Sequence, residues 1–564
     1  MSATTAPRWT EFAGIPLGAW AFALHIWTAV VLALCAAFWL QLEAPSTAAI
    51  TVAILALPTR GQVLEKATFR LFATIIGVTT SIVIVGAFAQ ARDLLLGAVA
   101  LWIGLCVYAA GLLDGSRAYA AVLSGYTVAF IAVQQMDTPQ NVFESSVARG
   151  AAIAIGIAAL AVVNTLLAAP DNHALLASRL AAIHQRVRAY VGAVLRGEEA
   201  NATTAAEILR DIAALRPEMA TLVPESSSGP ARSAAARSTA VALVAELHAA
   251  RALAAVPAAT DPRCRETLIA ALEHLAASPP LPHARDRETG DGPPLGAALE
   301  WGLAELLRRD AEVRQSLTAL GSGSRPPLAW RTPFYRSHRL AAEAGARACF
   351  YLAAAAVFFV LGGWPDSDFS LSLVVVIIGL GATTPTPLGF TIMALVAAPI
   401  AGLLAGILKF VILDGATAFP LLAIALAPFV IGAAILMTRP NPLAAALGRL
   451  NLIFIPAILA PTNPQHYNPQ TFLFTVLFVG MAAALLLAVQ RLVPPVSDGR
   501  RRQRLTMSAR HDLDRLLSWR ERRLAAEEAM FRDAVRIGQI VAAGGAAPQH
   551  RAALEQTLVC FDQA

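Results

Sequence analysis

Charge is scarce in this chain of 564 residues. Asp, Glu, Lys and Arg make up 15% of it and apolar residues 57%, with a mean hydropathy of +0.59, whereas an average soluble domain is about a quarter charged. That balance excludes an ordinary water-soluble globule and points to a polytopic membrane protein. Lysine is nearly missing: Lys66 and Lys409 are the only two, so the formal charge of +6 rests on arginine. The arginines flank apolar segments without the aromatic interleaving that binds bases, which excludes nucleic acid as a partner. Five cysteines (Cys35, Cys106, Cys264, Cys349, Cys560) form an odd set with no CxxC pair, so neither a disulfide frame nor a metal site is expected. There is no GxxxxGK[ST], no dinucleotide fingerprint, no HExxH and no nucleophile elbow. No enzyme and no cofactor are expected, and transport would have to draw on gradients or membrane potential.

What is present is a series of apolar runs, each measured against the roughly 20 residues a helix needs to cross a bilayer. Six fall in the first third, at 22–42, 46–58, 68–89, 94–113, 118–135 and 147–169. Six more lie at 345–362, 369–384, 388–413, 416–437, 448–460 and 470–492. The expected fold is an all-α polytopic membrane protein of two parallel six-helix transmembrane repeats, about 12 spans, with a helical cytoplasmic domain. The first span lacks a convincing cleavage site and is taken as a retained helix. The aromatic pair Phe38/Trp39 stands before Pro45 as Phe358/Phe359 stands before Pro365, at one offset of 320 residues. In both halves the segment after that proline is short.

Loop charges orient the chain, because Lys and Arg favour short cytoplasmic loops. Arg8, the Arg60/Lys66/Arg70 group, Arg117, Arg439 with Arg449, and Arg491–Arg504 alternate with neutral or acidic loops such as Asp137–Glu144 and Asp366/Asp368. Only Arg92 breaks the pattern. The predicted division is 1–21 cytoplasmic, 22–170 first membrane unit, 171–344 helical cytoplasmic domain, 345–493 second membrane unit and 494–564 a cytoplasmic helical tail. Leu176, Leu180, Ile183, Val187 and Val191 recur at three- and four-residue steps, predicting one buried stripe in the cytoplasmic domain. An even number of spans makes the repeats parallel, related by an axis along the membrane normal.

Site candidates follow from cost, since charge near a membrane is expensive. Lys66 and Arg70 are four apart and share a helix face; with Arg60 they form a basic cluster suited to an anion. The ordinary explanation, cations facing lipid head groups, is about equally good for any one of them. Interrupted spans at matching places in two repeats favour a transport site. The second half offers Thr383 and Thr384, with Arg347 among its nearest cations, so the expected site is asymmetric. Candidates for proton coupling are His25, Glu43, Lys409 and Asp414, against which stand interfacial, loop and snorkelling explanations. Trp102 and Trp364 are suited to stacking an aromatic ligand, though interfacial aromatic belts are commoner.

The stretches PTRGQVLEKATFRLFATIIG at 58–77 and GGWPDSDFSLSLVVVIIGLGATTPTP at 362–387 resemble the fusaric acid resistance family, which includes bacterial aromatic carboxylic acid exporters. The six-helix unit is also similar to the plant aluminium-activated malate transporters, anion channels that pair two such units. The family's Arg-x-x-Gly-Thr reads Arg70-Leu71-Phe72-Ala73-Thr74 here. The resemblance implies an exporter of organic anions in a bacterial inner membrane, working with a periplasmic adaptor and an outer-membrane channel. Matching positions are Arg60, Lys66, Arg70, Thr74, Trp364 and Pro365. A gated anion channel and a membrane scaffold recruiting a cytoplasmic partner stand as alternatives, and the choice between monomer and homo-oligomer is left open.

Overall fold

The computed structural model describes residues 11–166, 172–196, 198, 201–255, 294–364, 367–416, 418–463, 465–517, 525–542 and 548–563. Among them the only strands are Glu11–Phe12 and Ile15–Pro16, a hairpin closed by Ala13 and Gly14 at positive φ. Everything else that is regular is helical. The chain divides into two compact units, 1–170 with 337–495, and 171–336 with 496–564.

The first unit contains α1 (Leu17–Trp39), α2 (Pro45–Leu55), α3 (Arg60–Phe88), α4 (Arg92–Leu112), α5 (Gly115–Val128) and α6 (Val142–Leu166). After the second unit's first helices it resumes with α12 (His338–Leu361), α13 (Ser367–Ala382), α14 (Pro387–Ile407), α15 (Phe419–Met437), α16 (Pro442–Leu459) and α17 (Pro469–Leu492). Ten helical spans among the described residues are long and apolar enough to cross a membrane, which makes this an all-α polytopic membrane protein. The exceptions are α2, with 11 residues, and α13, with 16. At 1.5 Å per residue they reach about 16 and 24 Å, short of a hydrocarbon core of about 30 Å. Backbone that ends inside a bilayer is tolerated only where protein surrounds it. Both short helices accordingly bury most of their residues, including Thr47, Thr51, Ser370 and Ser372.

The two halves keep the same spacing. Helices start at 387 against 60, 419 against 92, 442 against 115 and 469 against 142, a constant offset of 327, whereas α13 starts 322 after α2. The change arises because α13 is longer than α2. On the later offset Pro58-Thr59 matches Pro385-Thr386, the residues that lead into α3 and α14. Packing repeats as well: α1 lies on α15 while α12 lies on α4, and α2 meets α16 while α13 meets α5. The α4–α12 crossing is close because both partners are glycine. A Cβ on Gly345 would sit 2.5 Å from the Gly104 carbonyl oxygen.

The second unit comprises α7 (Asn172–Leu195), α8 (Ala202–Ala214), α9 (Arg216–Ala220), α10 (Gly229–Ala254) and α11 (Pro294–Ser322), joined by α18 (Asp498–Leu517), α19 (Ala526–Ala542) and α20 (Pro548–Asp562). The α7 stripe of Leu176, Leu180, Ile183, Val187 and Val191 is buried in a core shared with α8, α10, α11 and α19. Arg251 holds Asp562 with two hydrogen bonds of 2.6 and 2.7 Å, and Arg309 reaches Glu527 at 2.9 Å, tying the C-terminal helices to this core.

Candidate anion site within the first helical bundle

Helix α3 begins at Arg60, a full two turns before the apolar run that starts at 68. Lys66 and Arg70 therefore project from within α3 rather than from a loop before it. At 29 residues α3 is about 44 Å long, more than a hydrocarbon core of about 30 Å, and Arg70 lies about 15 Å from its start. Arg70 is only 3% exposed. Its Nη1 donates to the Tyr119 hydroxyl at 2.5 Å and to the Tyr126 hydroxyl at 3.3 Å, and its Nη2 donates to Thr51 Oγ1 at 3.0 Å. Its Nε is buried with no partner. Lys66 Nζ donates to the Ile54 carbonyl at 2.7 Å and lies 4.8 Å from the centroid of the Tyr119 ring.

The local fold explains these positions. The short α2 leaves carbonyls unsatisfied at its C-terminus, and Lys66 caps one of them, that of Ile54, where the helix dipole favours a cation. Thr51 is brought close because a Cβ on Gly156 of α6 would lie 2.6 Å from the Ala48 carbonyl oxygen and 2.7 Å from Thr51 Cβ, an approach only glycine allows. Thr74, one turn beyond Arg70, is buried and spends its hydroxyl on the Arg70 carbonyl at 2.8 Å. On α6, Arg149 stands with its guanidinium 4.2 Å from the Phe130 centroid and its Nε buried and unpartnered. Arg70 and Arg149 repel one another, and Arg449 adds to the repulsion on Lys66.

No carboxylate among the described residues forms an ion pair with Lys66, Arg70 or Arg149. Glu65 adjoins Lys66 in sequence, but the charge it senses is Arg117. The groups that do meet the cations are neutral hydroxyls, a carbonyl and aromatic faces. Such a set holds positive charge in place without cancelling it, which is the electrostatic requirement for admitting an anion.

The other sequence candidates lie apart from this cluster. Arg60 starts α3 and is half-buried. Trp364 stacks on Phe358 with centroids 6.1 Å apart, and Pro365 lies outside the described residues. Thr383 and Thr384 donate back to the carbonyls of Leu380 and Gly381, each at 2.7 Å, closing the end of α13. Arg347 reaches Glu343 at 3.6 Å. His25 is half-buried with Nε2 unpartnered, and Glu43 and Asp414 are exposed. Lys409 is buried 5.9 Å from the Phe472 centroid. The structure thus assembles Lys66, Arg70 and Thr74 and adds Thr51, Tyr119, Tyr126, Phe130 and Arg149, which sequence reasoning missed. A sequence signal existed for Arg149 as an arginine inside an apolar run. The tyrosines carried none.

In the second unit His184, Glu246 and Asp310 present ligand atoms within 4.8 Å of one another. Arg188 and Arg314 both donate to Asp310, and His184 Nε2 bonds it at 2.9 Å, so this set reads as an ion-pair network.

Fold and cluster together define a polytopic helical membrane protein with a buried cationic cluster that no carboxylate pairs with among the described residues. The chain belongs to the fusaric acid resistance protein family, whose sequence profile matches residues 19–563. It is 28% identical to the uncharacterized transporter YdhK of Salmonella typhimurium over 34% of this chain and 28% of that protein. It is 30% identical to the p-hydroxybenzoic acid efflux pump subunit AaeB of Musicola paradisiaca over 24% of this chain and 22% of that one. The AaeB of Pectobacterium atrosepticum is 32% identical over 27% and 24%. The matches thus span about a quarter of those relatives' length. No solved structure matches the chain.

Proposed function

We propose that the protein exports organic anions, with aromatic carboxylates as the leading substrate class, across the bacterial inner membrane. The observation that carries this reading is the Lys66–Arg70 pair. Two buried or half-buried cations lie on α3 and, among the described residues, no carboxylate pairs with them, in a family with relatives named as p-hydroxybenzoic acid efflux pump subunits. The orientation that fits the loop charges puts both termini and the 171–336 unit in the cytoplasm. The constant helix spacing and the mirrored packing support two parallel six-helix repeats. A periplasmic adaptor and an outer-membrane channel complete this reading as partners.

The energetics favour the outward direction. Moving one negative charge out of a cell that is negative inside gains about 2.3 kcal/mol per 100 mV, so no proton relay is required. The test is release of labelled 4-hydroxybenzoate from proteoliposomes under an imposed potassium-diffusion potential. Release should accelerate when the substrate side is negative, and neutral 4-hydroxybenzamide should stay inside. Equal release of acid and amide, or none beyond empty liposomes, would refute the export reading.

A further inference from the structure

Helix α5 carries an aromatic face. Tyr119, Tyr126 and Phe130 are seven and eleven residues apart, so on a helix of 3.6 residues per turn they line one side over about 16 Å. Each meets a cation in the same order along that face. Lys66 lies against Tyr119, Arg70 bonds Tyr119 and Tyr126, and Arg149 lies over Phe130. Phe130 falls in a π-helical stretch, Ala129–Val133, that continues α5; such stretches are frequent at functional sites. Among the described residues, no hydrogen bond or ion pair reaches the Arg149 guanidinium, whose one recorded partner is the ring.

The second half has the same helices without the same chemistry. At the offset of 327, Lys66 corresponds to Met393, Arg70 to Ala397, Tyr119 to Ala446, Tyr126 to Ile453, Phe130 to Ala457 and Arg149 to Val476; at 322, Thr51 corresponds to Leu373. Every polar or aromatic member of the ladder faces a smaller or apolar counterpart.

We propose that Arg149 and Phe130 form a second anion subsite, beyond Arg70, and that the anion path lies inside the first half rather than along the axis between halves. The ligand is an aromatic carboxylate, its carboxylate taken by the planar guanidinium fork and its ring by Phe130. This rests on the export reading for its ligand class, but binding and flux test them separately.

The experiment measures benzoate binding to the purified full-length protein in detergent by calorimetry, with benzamide as the neutral comparison. Arg149→Gln should weaken benzoate binding at least tenfold, Arg149→Lys less, and Phe130→Leu should weaken benzoate while leaving acetate unchanged. Arg92→Gln, which removes an exposed charge outside the cluster, should bind as the native protein does. Wild-type affinity in a monodisperse Arg149→Gln protein would overturn the subsite. If that variant fails to fold, wild-type affinity in both Arg149→Lys and Phe130→Leu would do so. Binding lost with Arg149 in a protein that shows no flux would sink the export reading and keep the subsite. Intact flux and binding in Arg149→Gln would do the reverse. No benzoate binding by the native protein would end both.

Discussion

Replacing Arg70 with glutamine separates the two jobs a buried arginine can have, holding the helices together or holding a ligand. In the empty protein the change removes three hydrogen bonds, to Tyr119, Tyr126 and Thr51, each worth about 1.5–3 kcal/mol when one partner is charged. It also relieves the penalty of keeping a guanidinium out of water with no counter-ion, several kcal/mol in effective terms. No partner is stranded. Tyr119 and Tyr126 remain within 3.3 Å of one another, and Thr51 donates to the Thr47 carbonyl at 2.8 Å. The opposing terms leave stability changed by no more than about 2 kcal/mol. Ligand binding has no such compensation. A carboxylate loses a charge-assisted, fork-shaped partner, about 2–3 kcal/mol, or roughly 30- to 150-fold in Kd. Arg70→Lys keeps the charge but not the fork and should fall between. Calorimetric titration with benzoate, beside thermal unfolding without it, reads both quantities. Unchanged benzoate affinity would refute the site, and a collapse of stability by more than about 4 kcal/mol would show that Arg70 is chiefly a structural bolt.

Gly345→Leu at the α4–α12 crossing forces a side chain into the Gly104 backbone and Tyr108, so the purified protein should unfold at markedly lower temperature; a native-like melting curve would mean the helices are not so close. In the second unit Glu246 is fully buried, neither of its oxygens has a hydrogen-bond partner although His184 Nε2 lies 3.6 Å from Oε2, and burial first, then the nearby Asp310, pushes its pKa well above 4.5. The folded state therefore binds a proton that the unfolded chain has released, and stability falls as pH rises from about 4.5 through the raised folded value. Glu246→Gln should match the native melting temperature near pH 4 and exceed it increasingly toward pH 8, whereas a loss of stability at pH 8 would mean that the ionised carboxylate is held by His184.

The helices were legible because their cause is local. Apolar runs of the right length are visible along the chain, and all twelve expected spans overlap a described helix, although α1, α6, α12 and α16 start five to seven residues before the run expected for them. The start of α3 was the largest miss, since a run of residues containing Arg60, Glu65, Lys66 and Arg70 fails any test of continuous hydropathy. What admits it to the bundle is not local. Lys66 is satisfied by the end of α2, and Arg70 by hydroxyls on α5 that are 49 and 56 residues away. The search for a second-half counterpart met a related obstacle. An offset of 320, taken from aromatic pairs, directs attention to Thr383 and Thr384, but the longer α13 moves the register to 327 for every later helix. At that register the counterparts of the basic residues are Met393 and Ala397.

The asymmetry between halves has a physical rationale in cost. A cation at the centre of a membrane helix costs about 2.5–3.5 kcal/mol even on insertion scales that allow snorkelling and water, and a second copy of the ladder would add three such charges. The mutual repulsion already present between Arg70 and Arg149 would grow with them. Shape and chemistry are therefore divided. The halves pack around one another, α1 on α15 and α12 on α4, while most of the buried positive charge lies on α3 and α6 of the first half, with Arg449 of α16 close enough to repel Lys66. A path along the axis would need partners from both halves at equal depth, yet the second half presents Met393, Ala397 and Val476 at the matching positions. The ladder against α5 needs only the first.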